Sequence, residues 1–266
     1  MNEYRSDEEY RLAVDGFHGF CGMLLFKFAK YPCDTKDVII RNFIALTDTM
    51  VRGVMQLWSI SDYQDCWILN RYLFDRLFHL VHLGNNDQFD LFDDWLFFKQ
   101  YNAQNRVRSD PEFRGALVSQ LFMPTPEQKE RDCSLSIDPP NWQRPKAMAV
   151  AKGMNLRFLY KYGYDYGSTH VHPMANDGQQ DFFTITGLQP APDFPDQRSV
   201  LSNSILASCL IVQEGLNKSS FKWRRIIYDF LDHLLEHLQT GSQQDSQTLG
   251  KIIYARRDFN LCEPTA

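Results

Sequence analysis

The chain has 266 residues, 44% of them apolar and 23% charged, and 33 acidic against 28 basic residues leave a formal net charge of −5. That length carries one or two domains and buries a core without disulfide or metal staples. The balance excludes collagen, extended disorder and a disulfide scaffold. It also lacks the global basic field of a general nucleic-acid binder, although a local basic patch stays open.

The first helix is expected to start at Ser6, where Ser6-x-x-Glu9 spells a capping box and Asp7 and Glu8 suit the positive helix end. It runs through Leu24, Leu25 and Phe28 and stops by Pro32. A second helix follows Asp34 or Thr35, with Val38, Ile39, Phe43, Leu46, Met50, Val54 and Leu57 at helical spacing. Ser61-x-x-Gln64 caps a third, which ends near Gly84, and a fourth starts after Asn85 or Asn86 and passes Tyr101. Asp110-Pro111 places a cap before a proline at the first helical position and opens a fifth; Thr125-Pro126 repeats the device for a short sixth.

Three prolines make residues 138–145 a loop, and 146–162 read as helix again, ending at Gly163. Residues 173–197 form the longest irregular stretch, with four prolines and a candidate short strand at 182–186. Helices follow at about 199–217 and 220–239. The expected fold is therefore all-α, a bundle of about nine helices with one long irregular loop at about 173–197. Residues 1–240 are read as a single helical domain and 241–266 as a polar linker, short helix and tail. A loop of that length inside a compact domain suits a lid or a partner surface.

The six cysteines (Cys21, Cys33, Cys66, Cys133, Cys209 and Cys262) show no CxxC spacing, so they read as reduced thiols of a cytosolic protein rather than as a zinc site or a redox pair. The acidic N-terminus is no signal peptide. The longest weakly polar run, 205–212, falls short of the roughly 20 residues that a membrane span needs. A soluble, cytoplasmic protein with no membrane partner is the expectation.

The third helix carries the most informative polar pattern. At 100° per residue, Arg71, His82, Asp75 and His79 fall within about 80° of one another, while Cys66, Trp67, Leu69, Tyr72, Leu73, Phe74, Leu77, Phe78, Leu80 and Val81 make up the rest, with Arg76 the only other charge. A helix apolar on nearly every side is buried. The stripe then faces an interior or a cleft, where its charges need partners. The alternative is an Arg71–Asp75 ion pair one turn apart, with solvated histidines. Residues 160–173 offer the partners: four tyrosines with Asp165, Ser168, His170 and His172 beside the long loop suit a pocket wall. A tyrosine-rich rim at a helix end is the plainer account.

Arg71-x-x-x-Asp75 in a buried helix, followed by tyrosines and Ser168-x-x-x-His172-Pro173, resembles a family of bacterial helical proteins of unknown function. That family carries an Arg-x-x-x-Glu helix and a later Ser-x-x-x-His-Pro segment. The resemblance spans roughly residues 68–174, and Asp75 stands where the family usually has Glu, one methylene longer. It implies no activity, only that these positions belong together.

Three chemistries fit the residues. The leading one is a ligand- or partner-binding, regulatory module built on a buried Arg-Asp-His network, in which Arg71, Tyr164, Ser168 and His170 contact the ligand. The second is a metal-free ribonuclease of the toxin or defence type. Its catalytic set would be Arg71, Asp75, His82 and His172: a histidine moves protons, Arg71 binds phosphate and Asp75 orients a ring. Arg76-x5-His82 and Arg11-x6-His18 also match the Arg-to-His spacing of such enzymes. The third is a metal site at His170-x-His172 with Asp75 or Asp165, or at His233-x-x-Glu236-His237, which has the form of an inverted zincin motif. Neither metal site is carried forward, so no metal and no cofactor are expected. The candidate partners are an anionic ligand or RNA, with a homodimer as a further option. No Gly-rich phosphate loop, GxSxG elbow or GxGxxG fingerprint is present.

Overall fold

The computed structural model of the chain describes residues 5–113, 123–171, 178–188, 197–221 and 224–240. Among them every regular element is helical and there is no strand, so the protein is an all-α helical bundle. The helices are α1 (Asp7–Phe28), α2 (Thr35–Ser59), α3 (Tyr63–Asn86), α4 (Phe89–Ser109), α5 (Pro126–Ile137), α6 (Ala147–Gly153), α7 (Arg157–Leu159, then Tyr160–Asp165 and Tyr166–Ser168), α8 (Gln179–Thr186), α9 (Ser199–Lys218) and α10 (Arg224–Thr240). They fall into two compact units, one holding residues 1–81 and 145–266, the other 82–144. The expected linker, helix and tail at 241–266 lie outside the described residues.

In the first unit α2 packs on α1 and α9, and α10 packs on α9 and α1. The caps do what their chemistry dictates. Ser6 Oγ accepts from the Glu9 amide while Glu9 accepts from the Ser6 amide, and Asp34 accepts from the Asp37 amide at 2.8 Å. Phe17, Phe20 and Leu24 of α1, Ile40 and Ile44 of α2, Leu73, Phe74 and Leu77 of α3 and Val200, Ile205 and Ile211 of α9 are all buried. Phe20 stacks on Phe230 of α10 at 4.3 Å. Among the described residues α9 is the one helix long and apolar enough to cross a membrane, and most of it is buried inside the protein, as in a core helix.

In the second unit α4 packs on α5, and Trp142 closes on Phe92 and Trp95 at 4.8 and 5.0 Å. Arg131 bridges Asp93 and Asp94, each at 2.7 Å, with its guanidinium over the Phe97 ring. Thr125 caps α5 ahead of Pro126 as expected, and with Gln128 it completes a capping box.

Three local expectations need correction. Ser61 does not cap α3: it sits in the left-handed region at φ 63°, and Asp62 accepts from the Asp65 amide instead. Residues 182–186 are not a strand but part of α8, bounded by Gly178 and Gly187 at positive φ. With no strand to pair with among the described residues, the segment satisfies its backbone internally. The helix expected at 146–162 breaks at Asn155 (φ 60°), and its second half passes Gly163 to end at Ser168. Asp110-Pro111 opens a 3₁₀ turn, Pro111–Phe113; the continuation expected there lies outside the described residues.

Candidate functional site

The site is built where α7 crosses α3. Residues 160–165 of α7 form a π-helix, a geometry found mostly as single-turn insertions in α-helices and frequently at functional sites. Two glycines one turn apart set the approach. A Cβ on Gly163 would overlap three ring carbons of buried Phe74. A Cβ on Gly167 would lie 2.9 Å from Arg71 Cβ and 3.0 Å from the Trp67 carbonyl oxygen. Only bare backbone fits at either position, so α7 lies directly against α3 there.

That approach delivers Tyr164 and Ser168 to Arg71. Arg71 Nε donates to Ser168 Oγ at 3.0 Å and Nη2 donates to the Tyr164 hydroxyl at 3.3 Å. Ser168 Oγ in turn donates to the Tyr164 carbonyl at 2.8 Å, which fixes its rotamer. The guanidinium lies 4.9 Å from the Tyr164 ring centre and 5.7 Å from that of Tyr72. Both oxygens that Arg71 meets are neutral. The Arg71–Asp75 ion pair is not formed, and among the described residues no carboxylate pairs with Arg71.

Asp75 turns to other partners. Its carboxylate faces the Tyr164 hydroxyl, and His79 Nδ1 lies 3.9 Å from Oδ1 while donating to the Asp75 carbonyl at 2.6 Å. Burial, then the Asp75 charge, push the Tyr164 phenol above its ordinary pKa, and Arg71 opposes them. His79, not a residue of the expected set, is therefore the histidine beside Asp75. The i,i+4 spacing was visible in the sequence, but nothing there ranked it above His82.

The other expected residues are placed as follows. His170 lies against Tyr166 at 5.3 Å and near Trp67, one turn from Arg71 on α3. His82 falls in the second unit, where Asn86 Nδ2 donates to its Nδ1 at 3.2 Å. His172 lies outside the described residues. Arg76 packs on Met50 Sδ and the Phe43 ring, and burial lowers its pKa. Among the described residues no three metal-ligating side chains cluster; His172 and the His237 side chain are not among those described.

A second polar cluster, absent from the expected site, joins α1 to α2. His18 Nδ1 donates to both oxygens of Asp48, at 3.0 and 2.9 Å, and Arg52 Nε lies 3.3 Å from Asp48 Oδ2. The Asp48 side chain is 8% exposed and that of His18 is 51%. Arg52 also borders an open cleft of about 440 Å³ lined by Arg11, Asp15, Gln56 and Trp58. The signal in the sequence was the Arg11-x6-His18 spacing. The Asp48 partner could not be read from it, because the pairing depends on how the two helices align.

An all-helical fold with an arginine clasped by neutral hydroxyls across a glycine-mediated helix crossing defines the class. The chain belongs to DUF5677, a family of unknown function, whose model matches residues 37–184. That range contains the Arg71, Asp75, Tyr164 and Ser168 positions and more than half of the chain. Comparison with curated proteins and with solved structures finds no match.

Proposed function

We propose that the protein is a binding module whose first unit holds an anionic ligand at Arg71. One observation carries the reading: a partly buried guanidinium bonded to two neutral hydroxyls, with no carboxylate partner among the described residues. A cation in such surroundings keeps donors and charge for a carboxylate or phosphate, which a planar guanidinium grips with two parallel bonds. Ser168 and the Tyr164 ring orient it, and Asp75 with His79 holds the Tyr164 hydroxyl from the other side. A cytoplasmic location is part of this reading, supported by five thiols that form no disulfide among the described residues.

Calorimetric titration with inorganic phosphate and with a 5′-mononucleotide tests it. Saturable binding is expected in the wild type and in Ser168→Ala, weakened, and is lost in a folded Arg71→Ala. Wild-type protein without saturable binding, or Arg71→Ala binding as well as wild type, overturns the reading.

The second reading, a metal-free ribonuclease, is favoured by the His18–Asp48 pair. A carboxylate on Nδ1 fixes the neutral tautomer with Nε2 as the acceptor, the arrangement of a general base. RNA cleavage that survives EDTA and disappears in a folded His18→Ala or His82→Ala variant supports it. Absence of cleavage by folded wild type removes it.

A further inference from the structure

We propose that the outer face of α7 is a stacking platform for single-stranded nucleic acid, continuous with the Arg71 anion site. This rests on the reading of Arg71 given above and names its ligand class. The two rows of α7 have opposite fates. Tyr160 and Tyr164 turn inward, stack on each other at 5.3 Å and pack on Phe78 of α3. Phe158, Tyr162 and Tyr166, each four residues apart, remain 66%, 59% and 43% exposed. Phe158 and Tyr162 meet at 4.5 Å between ring centres, and Tyr166 rests edge-on against Trp67 at 4.7 Å.

Three large rings left in water on one helix are costly unless something covers them. Charge identifies what. Arg157 and Lys161 are exposed on the same helix and Lys152 on α6 before it, and among the described residues none of them forms an ion pair. Asp165 is the one nearby carboxylate on the same segment. Aromatic faces with interleaved unpaired cations suit alternating bases and phosphates: bases stack on the rings and the cations track the backbone. At its far end the row reaches Trp67, one helical turn from Arg71, so a strand lying along α7 brings a phosphate to the guanidinium.

Fluorescence anisotropy with a labelled oligouridylate of about 12 nucleotides, within the usual span of a single-strand groove, tests this on the full chain. The wild type is expected to bind with a salt dependence of about −0.7 in log–log slope per phosphate contact. Phe158→Ala/Tyr162→Ala and Arg157→Glu/Lys161→Glu are each expected to weaken binding by about tenfold or more while circular dichroism stays native. A folded wild type that ignores the oligonucleotide, or a ring-deleted variant that binds like wild type, overturns the proposal. So does a wild-type dimer in sedimentation that dissociates when Phe158 and Tyr162 are removed, with no RNA bound. Phosphate titration of Arg71→Ala separates the two failures. If phosphate binding still depends on Arg71, only the platform falls. If it does not, the reading beneath it falls as well.

Discussion

Tyr164 concentrates the chemistry of the Arg71 site in one hydroxyl, which receives a bond from Arg71 and faces the Asp75 carboxylate. Its phenol is expected to titrate above the ordinary value of about 10, chiefly through burial and the Asp75 charge. The folded chain then keeps a proton that the unfolded chain has lost, so stability falls as pH climbs from about 10 towards the raised value. Absorbance of the phenolate, wild type minus Tyr164→Phe, reads this; a difference titration at the ordinary value contradicts it. A second residue-scale outcome concerns Asn70, whose Nδ2 donates to Ser204 Oγ at 2.9 Å with both side chains buried. Its Oδ1 is buried without a partner among the described residues. Ser204→Ala deprives the amide of its acceptor and is expected to cost about 1–3 kcal/mol in urea unfolding. A loss of only a few tenths would mean that the pair contributes little.

At the scale of elements, the α3–α7 crossing decides whether the site exists. Gly163 marked the expected end of a helix, and nothing in the sequence singled out Gly167. Their role is steric. A methyl at Gly163 must displace Phe74, and buried Phe74 has no free volume to accept it. Gly163→Ala is therefore expected to destabilise the fold by about 1–3 kcal/mol, the usual cost of overpacking. Phosphate affinity should fall as well, because Tyr164 and Ser168 move away from Arg71. Thermal unfolding and titration of the same variant check both, and an unchanged melting temperature would show that the crossing tolerates a wider spacing. Capping, by contrast, was legible almost to the residue. Ser6, Asp34 and Thr125 act where their short polar side chains and local spacing placed them, since a cap needs only neighbours in sequence.

Across the whole molecule, burial sorts the cysteines. Burial raises the Cys21 and Cys209 thiols, and pushes Cys66 up to about 12, while Cys133 is exposed in the second unit. Alkylation followed by mass spectrometry is expected to label Cys133 within minutes under native conditions. Cys21, Cys66 and Cys209 should stay unlabelled until denaturant is added, because a thiol held protonated and covered is no nucleophile. Rapid native labelling of Cys66 would mean that α3 opens locally. The all-helical class and most helix positions were legible for a similar reason: apolar periodicity reports which face of each helix is covered. The membership of two compact units was not, since the split falls inside α3, at 81–82, ahead of the break that Gly84 signals in the sequence.

The amino-acid order by itself determined the all-helical class, most of the helices and the caps at Ser6, Asp34 and Thr125, because backbone periodicity and capping act over a few residues. Only the tertiary structure decided the partners. Arg71 meets Ser168, 97 positions away, rather than Asp75 one turn along its own helix. His18 takes Asp48 of the neighbouring helix. The physical reason is that a polar side chain bonds whatever the packing of apolar faces brings within about 3 Å, and that packing rests on distant contacts such as Gly163 on Phe74.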